Sequence, residues 1–218
     1  MKKRIISACI VAATCCLLAI PAAADGNRGV SDIEKWGDSI QKYTETVTNQ
    51  DEAIMESLKP AENGKIILPQ TEIDMAKDFY ISAGYGEAEA ERLALQYVKE
   101  INVLYQEAIS NGYTASDQEI REHLDSLKEQ YQTAENKEEM QAFMDKFENE
   151  QAYWDYQFEI YKKDLPIQKY NADREKKYLE EQTSEDGQTE RLAIQGDWEE
   201  EFEYRKKAAV EESDFVVR

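Results

Sequence analysis

The chain has 218 residues, with 26 Lys and Arg against 46 Asp and Glu, and a formal net charge of −20. This acidity argues against nucleic acid and anionic lipid as partners, because both require neutralisation by Lys and Arg. The 3 Trp, 13 Tyr and 6 Phe residues exceed what a disordered chain usually carries. The small numbers of helix-breaking residues, 4 Pro and 9 Gly, favour helices. The length fits one domain or two small ones.

Residues 1–24 have the pattern of a secretory signal peptide. A basic start is followed by the uncharged apolar run 5–20, and alanines lead to Ala24 and then Asp25. We therefore expect cleavage after Ala24 and export to the cell envelope or the extracellular space, without tight lipid binding afterwards. An uncleaved membrane anchor is the alternative, although the apolar run is shorter than the roughly 20 residues of a spanning helix.

All three cysteines lie inside this leading segment, at Cys9, Cys15 and Cys16. Removal of the segment would leave a chain without thiols, which excludes thiol redox chemistry and zinc sites built from cysteine. No Asp-rich calcium loop of the EF-hand type occurs either. We expect neither a metal nor another cofactor.

Residues 25–62 are expected to form a leader and a first amphipathic helix. Apolar residues recur there at steps of three and four, as on one helix face: Ile33, Trp36, Ile40, Tyr43 and Val47. Pro60 and Gly64 end this helical region. The short β-branched run Lys65–Leu68 then predicts a strand.

Several helices are predicted after this strand. Thr71, with Asp74 three residues later, resembles a capping box and predicts a helix start. Segment 87–110 has the most regular apolar periodicity of the chain, and Ser116 with Glu119 forms a second capping box. A short helix further on carries Met140, Phe143, Met144 and Phe147.

A long helix beginning near residue 149 carries two apolar stripes. One stripe contains Tyr153, Tyr156 and Ile160, and the other contains Trp154, Phe158, Tyr161 and Leu165. A helix that is apolar on two sides either bridges two packing partners or packs on one side and binds on the other. Pro166 predicts a break or kink, after which helical composition resumes over 167–181.

The C-terminal part contains a polar loop at 182–190, a last helix and a short run at 214–218 whose residues 215–217 are apolar. This run and Lys65–Leu68 are far apart in sequence, and each is predicted to be a strand without other strands nearby. Since unpaired strand edges are unfavourable, we expect the two to pair with each other. The sequence therefore predicts a mostly α-helical fold with one small two-stranded β element.

The order of these elements resembles that of a known family. The similar segments are 63–67 (Asn-Gly-Lys-Ile-Ile), the helix beginning near Thr71, the helix 87–110, and 111–120 (Asn-Gly-Tyr-Thr-Ala-Ser-Asp-Gln-Glu-Ile). They resemble the N-terminal chaperone domain of SurA- and PrsA-type extracytoplasmic foldases over about 63–181, and 215–217 resembles the closing strand of that family. The resemblance implies that 63–218 form a SurA N-like helical chaperone domain.

One part of many family members is missing. Those proteins insert a parvulin prolyl-isomerase domain with paired histidines, and the only place for it here is the short loop 182–190. The resemblance therefore implies binding of unfolded or extended segments of exported proteins, and no enzymatic activity. An adaptor that holds one fixed partner on the same scaffold is the alternative, and a peptidyl-prolyl isomerase is less favoured.

Two sets of side chains are candidates for a site. His123 stands one helical turn after Glu119, which suits either a metal or acid–base site or, as we expect, a surface histidine beside a carboxylate. Methionine and aromatic side chains form adaptable grooves for varied peptides. We expect one apolar stripe of the long helix to be partly open and to bind clients through Met140, Met144, Trp154, Phe158 and Tyr161, although the choice of stripe stays open.

Overall fold

The structure, a computed structural model, describes residues 30–49, 51–134, 137–182 and 190–218. Within these ranges the chain forms eight helices and one two-stranded sheet, so the predicted mostly helical class is confirmed. The expected signal peptide and most of the loop 182–190 lie outside the described residues.

The elements, in chain order, are α1 (Val30–Thr48), α2 (Glu52–Ser57), β1 (Lys65–Leu68), α3 (Gln70–Ser82), α4 (Glu87–Ser110), α5 (Asp117–Tyr131), α6 (Lys137–Met144), α7 (Glu150–Gln182), α8 (Glu190–Glu211) and β2 (Asp214–Val217). Helices α1, α4, α5 and α8 all pack against the long helix α7. The main hydrophobic core therefore forms around α7.

The predicted pairing of the two distant strands is confirmed. β1 and β2 are parallel, with Ile66 opposite Phe215 and Leu68 opposite Val217. The turn before β1 places Asn63 at φ 54° and Gly64 at φ 74°, a left-handed conformation that suits these two residue types.

One of the two predicted capping boxes forms. The Ser116 hydroxyl accepts a hydrogen bond from the Glu119 amide at 3.2 Å, and the Glu119 carboxylate accepts one from the Ser116 amide at 2.8 Å. The box predicted at Thr71 is wrong, because α3 begins at Gln70 without a side-chain cap. The Gln70 amide instead donates to the Arg218 carbonyl at 2.6 Å, so the pairing with the C-terminal strand satisfies this helix end.

The break predicted at Pro166 is also wrong, since α7 runs without interruption from residue 150 to residue 182. Proline removes one backbone donor from a helix. Here Pro166 is buried between the buried residues Leu165 and Ile167. Packing on both sides of the proline therefore maintains the helix.

Aromatic side chains fill the part of the core where α1, α6 and the start of α7 meet. The rings of Trp36 and Phe143 stack with centroids 4.7 Å apart, and the rings of Phe147 and Tyr153 meet edge to face at 5.3 Å. Such pairs contribute about 0.5–1.5 kcal/mol each beyond their burial. This cluster fixes α1 and α6 against α7.

Candidate functional site

The methionine and aromatic residues proposed as a client groove lie mostly in the core. Met140, Met144, Trp154 and Tyr161 are buried, with Tyr161 fully so, and Phe158 is partly buried. The expectation of an open stripe on α7 is therefore wrong for four of these five side chains. The stripes are mostly buried because four helices pack on α7. The sequence alone suggests too few helices to cover both stripes.

Cations cover the outer rings of the same stripe. The Arg121 guanidinium lies 4.6 Å from the centroid of the Phe158 ring, and the Lys128 ammonium lies 5.1 Å from that of Trp154. Cation–π contacts of this kind stabilise a ring at a surface. They close the stripe towards solvent, so the binding surface has to be sought elsewhere.

His123 does not pair with Glu119, and the expectation of a surface histidine beside a carboxylate is wrong. Its ring packs on Tyr161 at 4.8 Å, and burial lowers the pKa of His123. Glu119 instead accepts a hydrogen bond from Lys169 at 2.6 Å, and this bond, with those from Ser116, lowers the pKa of Glu119 to about 2. No group of metal-ligating side chains occurs in the described ranges.

A buried polar cluster, which the sequence analysis did not find, lies between α2, α3, α4 and α7. The Lys163 ammonium donates to Ser57 Oγ at 3.1 Å, to Asn102 Oδ1 at 2.9 Å and to the Glu72 carboxylate. Asn102 in turn donates to Glu72 Oε2 at 3.1 Å and to a backbone carbonyl. All three ammonium hydrogens thus have acceptors, which is the condition for burying a charge.

Among the described residues, Asp164, the residue after Lys163, is hydrogen-bonded less completely than the buried Lys163 ammonium group. It is buried, and its Oδ2 atom has no hydrogen-bond partner in the described part of the chain. Burial raises the pKa of Asp164 to about 7, the Lys163 charge opposes this shift, and the Glu72 charge adds to it. A buried carboxyl group with a raised pKa makes the stability of the fold depend on pH.

A polar opening lies over one face of the small sheet. We call it the sheet pocket, and its volume is about 170 Å³. The cross-strand pair Ile67 and Val216 belongs to its lining, together with Glu56, Lys59, Pro60, Ala61, Glu62, Asn63, Lys65, Gln106 and Arg218. Cofactor pockets are commonly about 300–1,000 Å³. The sheet pocket is therefore of a size for one side chain.

The wall of the sheet pocket is preformed. Gln106 accepts a hydrogen bond from the Ala61 amide at 2.8 Å and donates to the Lys59 carbonyl at 2.9 Å. One residue earlier on α4, the Tyr105 hydroxyl donates to the Leu58 carbonyl at 2.9 Å. These three bonds tie the loop between α2 and β1 to helix α4.

The main chain of the sheet offers a second kind of contact. Leu68 accepts a hydrogen bond from the Arg218 amide at 3.0 Å, so the polar backbone atoms of Leu68 face β2. Because backbone groups alternate along a strand, those of Ile67 face the opposite edge. Within the described ranges each strand has one strand neighbour only. We therefore take the sheet pocket and the adjoining strand edges as the candidate site.

Comparison with known proteins identifies no significantly similar protein. No protein-family model matches the chain, and neither a curated protein nor a solved structure is significantly similar to it. In the part of the chain that the structure describes, no helix combines the length and apolarity needed to cross a bilayer.

Proposed function

We propose that this chain is an exported, chaperone-like protein that binds unfolded or extended segments of other exported polypeptides without catalysis. The observation that carries the proposal is the short two-stranded sheet beside a preformed pocket. Extended peptides bind to such sheets through main-chain hydrogen bonds, which do not depend on sequence. A binder of varied unfolded segments needs this kind of contact.

The sheet pocket supplies the side-chain part of the interaction. Side chains of an extended segment alternate between its two faces. One side chain that faces the sheet would contact Ile67 and Val216, both of which are only partly buried. Binding of one apolar side chain per segment gives modest affinity, which suits a chaperone that must release its clients.

The wider surface and the resemblance to SurA- and PrsA-type foldases also support the proposal. A net charge of −20 disfavours self-association and attracts basic segments of clients. The parallel pairing of β1 with β2 agrees with a closing strand, and we include a SurA N-like fold for 63–218 in the proposal. Because the sequence resembles this family but has no room for a parvulin insertion, we propose that the protein binds polypeptide segments and has no isomerase activity.

An aggregation assay with several unrelated unfolded clients tests the proposal. We expect the exported protein to suppress aggregation of more than one client, and Ile67→Asp to lose this effect because it places a charge on the apolar patch that Ile67 and Val216 form in the pocket. Tyr204→Asp, at a side chain that is 70% exposed on α8, is the matched control. Equal activity of both variants, or one stoichiometric partner in place of several clients, would favour the fixed-partner adaptor.

Two further measurements test the remaining parts of the proposal. The N-terminal sequence of the exported protein should begin at Asp25, whereas a start at Met1 indicates an uncleaved anchor. In a protease-coupled prolyl peptide assay the protein should leave the uncatalysed rate unchanged. Catalysis that disappears in His123→Ala would contradict the non-enzymatic function.

A further inference from the structure

The two strands of the sheet are held very differently. In β1, Ile66 is 6% exposed and Leu68 is fully buried, so this strand belongs to the core. In β2, Phe215 and Val216 are only partly buried, and Val217 is 48% exposed. β2 thus lies on the surface of a site that β1 and its neighbours have already formed.

Main-chain bonds provide much of the attachment of β2. The Arg218 amide donates to the Leu68 carbonyl at 3.0 Å, and the Arg218 carbonyl accepts from the Gln70 amide at 2.6 Å. Bonds of this type are available to any extended segment that lies beside β1 in parallel register. They do not distinguish β2 from a segment of another chain.

The side-chain contacts of β2 show what the site selects. Lys99 Nζ lies 5.2 Å from the centroid of the Phe215 ring, and Arg218 Nη1 lies 2.6 Å from Glu56 Oε1. The Arg218 and Glu56 side chains are 53% and 32% exposed, so water competes for this ion pair. Phe215 also packs against the hydrophobic core. The site therefore favours an apolar, preferably aromatic, residue at the position of Phe215 and a basic residue three positions later.

We infer that β2 is a displaceable, ligand-like strand, and that extended partner segments with an apolar-apolar-apolar-basic pattern take its place beside β1. The inference rests on the proposed function and deepens it by naming the class of segment that is bound. The carboxylate of Glu56 and the overall negative charge are complementary to the basic residue of such a segment.

The covalent link to α8 makes β2 a tethered competitor. A tethered segment acts at an effective concentration that reaches the millimolar range for short linkers. Free protein is therefore mainly in the closed form, and a partner segment binds with an affinity reduced by the small open fraction. Weakening β2 must then strengthen partner binding, which an ordinary structural strand would not do.

A labelled pentapeptide of sequence Asp-Phe-Val-Val-Arg provides the probe, with fluorescence polarisation as the readout. We compare the full chain, Phe215→Ser, and a chain without residues 214–218. Both altered chains should bind the peptide at least about tenfold more tightly than the full chain, because the tethered competitor is weakened or absent. Tyr204→Ser is the control and should bind as the full chain does.

The basic residue is tested by a second comparison in the Phe215→Ser background. A peptide ending in Ala should bind more weakly than the one ending in Arg, and Glu56→Gln should abolish this difference. If the truncated chain loses its helical circular dichroism, Phe215→Ser alone decides the question. Peptide binding that does not rise in a folded variant overturns the inference.

Failure of this inference and failure of the proposed function give different results. Aggregation suppression that Ile67→Asp removes, together with unchanged peptide binding in Phe215→Ser, retains the chaperone function and rejects a displaceable β2. Tighter peptide binding in Phe215→Ser without any aggregation suppression retains the displaceable strand and rejects the chaperone function.

Discussion

Lys163 and Glu72 form an ion pair inside the protein, between helices α7 and α3. Their side chains are 4% and 13% exposed, and Asn102 and Ser57 complete the hydrogen bonding of the ammonium group. The pair thereby links four helices through a single charged group. Buried pairs often add little net stability over apolar residues, but removal of one partner leaves a charge without compensation.

The first prediction concerns this ion pair. Lys163→Met should lower the free energy of unfolding by about 3–5 kcal/mol, because Glu72 then remains in a largely buried position without its counter-charge. Urea denaturation measures the loss. Lys77→Met removes a surface lysine that contacts Glu87 and Glu91, and it should cost less than about 1 kcal/mol. Equal losses for the two variants would contradict the importance of the buried pair.

Asp164 should make stability depend on pH. Burial raises its pKa to about 7 from the ordinary value of 3.8, so the folded protein binds a proton that the unfolded chain has lost. The contribution of Asp164 to the free energy of unfolding is fully present below pH 3.8 and is lost as the pH rises to about 7. At about 1.4 kcal/mol per pH unit, the loss over this range is about 4 kcal/mol.

Asp164→Asn tests this dependence because the amide resembles the protonated carboxyl group in shape and carries no charge. The variant should be more stable than the parent chain above pH 7 and similar to it near pH 4. Thermal melts over this range provide the measurement, and the exposed Asp155→Asn serves as the control. Parallel stability curves for the parent chain and Asp164→Asn would show that Asp164 does not titrate in this window.

The capping box at the start of α5 gives a smaller effect. Ser116→Ala removes the acceptor of the Glu119 amide and should destabilise the protein by about 1 kcal/mol. Urea denaturation provides the value. Ser126→Ala, an exposed serine in the middle of the same helix, is the control and should stay within about 0.5 kcal/mol.

Substitution of Trp154 tests whether its apolar stripe on α7 belongs to the core or forms a binding groove. Since it is only 5% exposed, Trp154→Ala should cost about 3–5 kcal/mol, as for other buried aromatics. Tyr204→Ala, at a side chain that is 70% exposed, should change stability by less than about 0.5 kcal/mol. A stable Trp154→Ala variant with reduced client binding would restore the groove on α7.

Hydrogen exchange tests the attachment of β1 to β2. Deletion of residues 214–218 should accelerate exchange at the Ile66 and Leu68 amides, which face β2, more than at the Ile67 amide, which faces away. The Ile67 amide is therefore an internal control. Uniform acceleration of all three amides would indicate that the deletion unfolds the surrounding region.

Local signals in the sequence predicted much of the fold. The β-branched run at 65–68 and the apolar run at 214–217 lack other strand partners, and the structure pairs them. Ser116 and Glu119 form their capping box because both residues lie within one turn. Thr71 failed as a cap because the nearby helix end is satisfied by Arg218, a residue that no local pattern connects with it.

The polar interior of α7 was missed because charge is usually a sign of exposure. Lys163 lies in the helical phase of the apolar stripe that contains Tyr156, Ile160 and Ile167, with steps of four, three and four. This position on the apolar face of the helix could have indicated from the sequence that Lys163 is buried. Its partners Glu72 and Asn102 come from other helices, so only tertiary structure identifies them.

The parallel pairing of β1 with β2 also sets an order of events during synthesis on the ribosome. At roughly 5–20 residues per second, β1 emerges on the order of ten seconds before β2. During that interval the edge of β1 that carries the backbone groups of Leu68 has no native partner and is available to foreign strands. Closure of the sheet is therefore a late, long-range step, and the nascent chain is vulnerable to mispairing at β1 until β2 has been made.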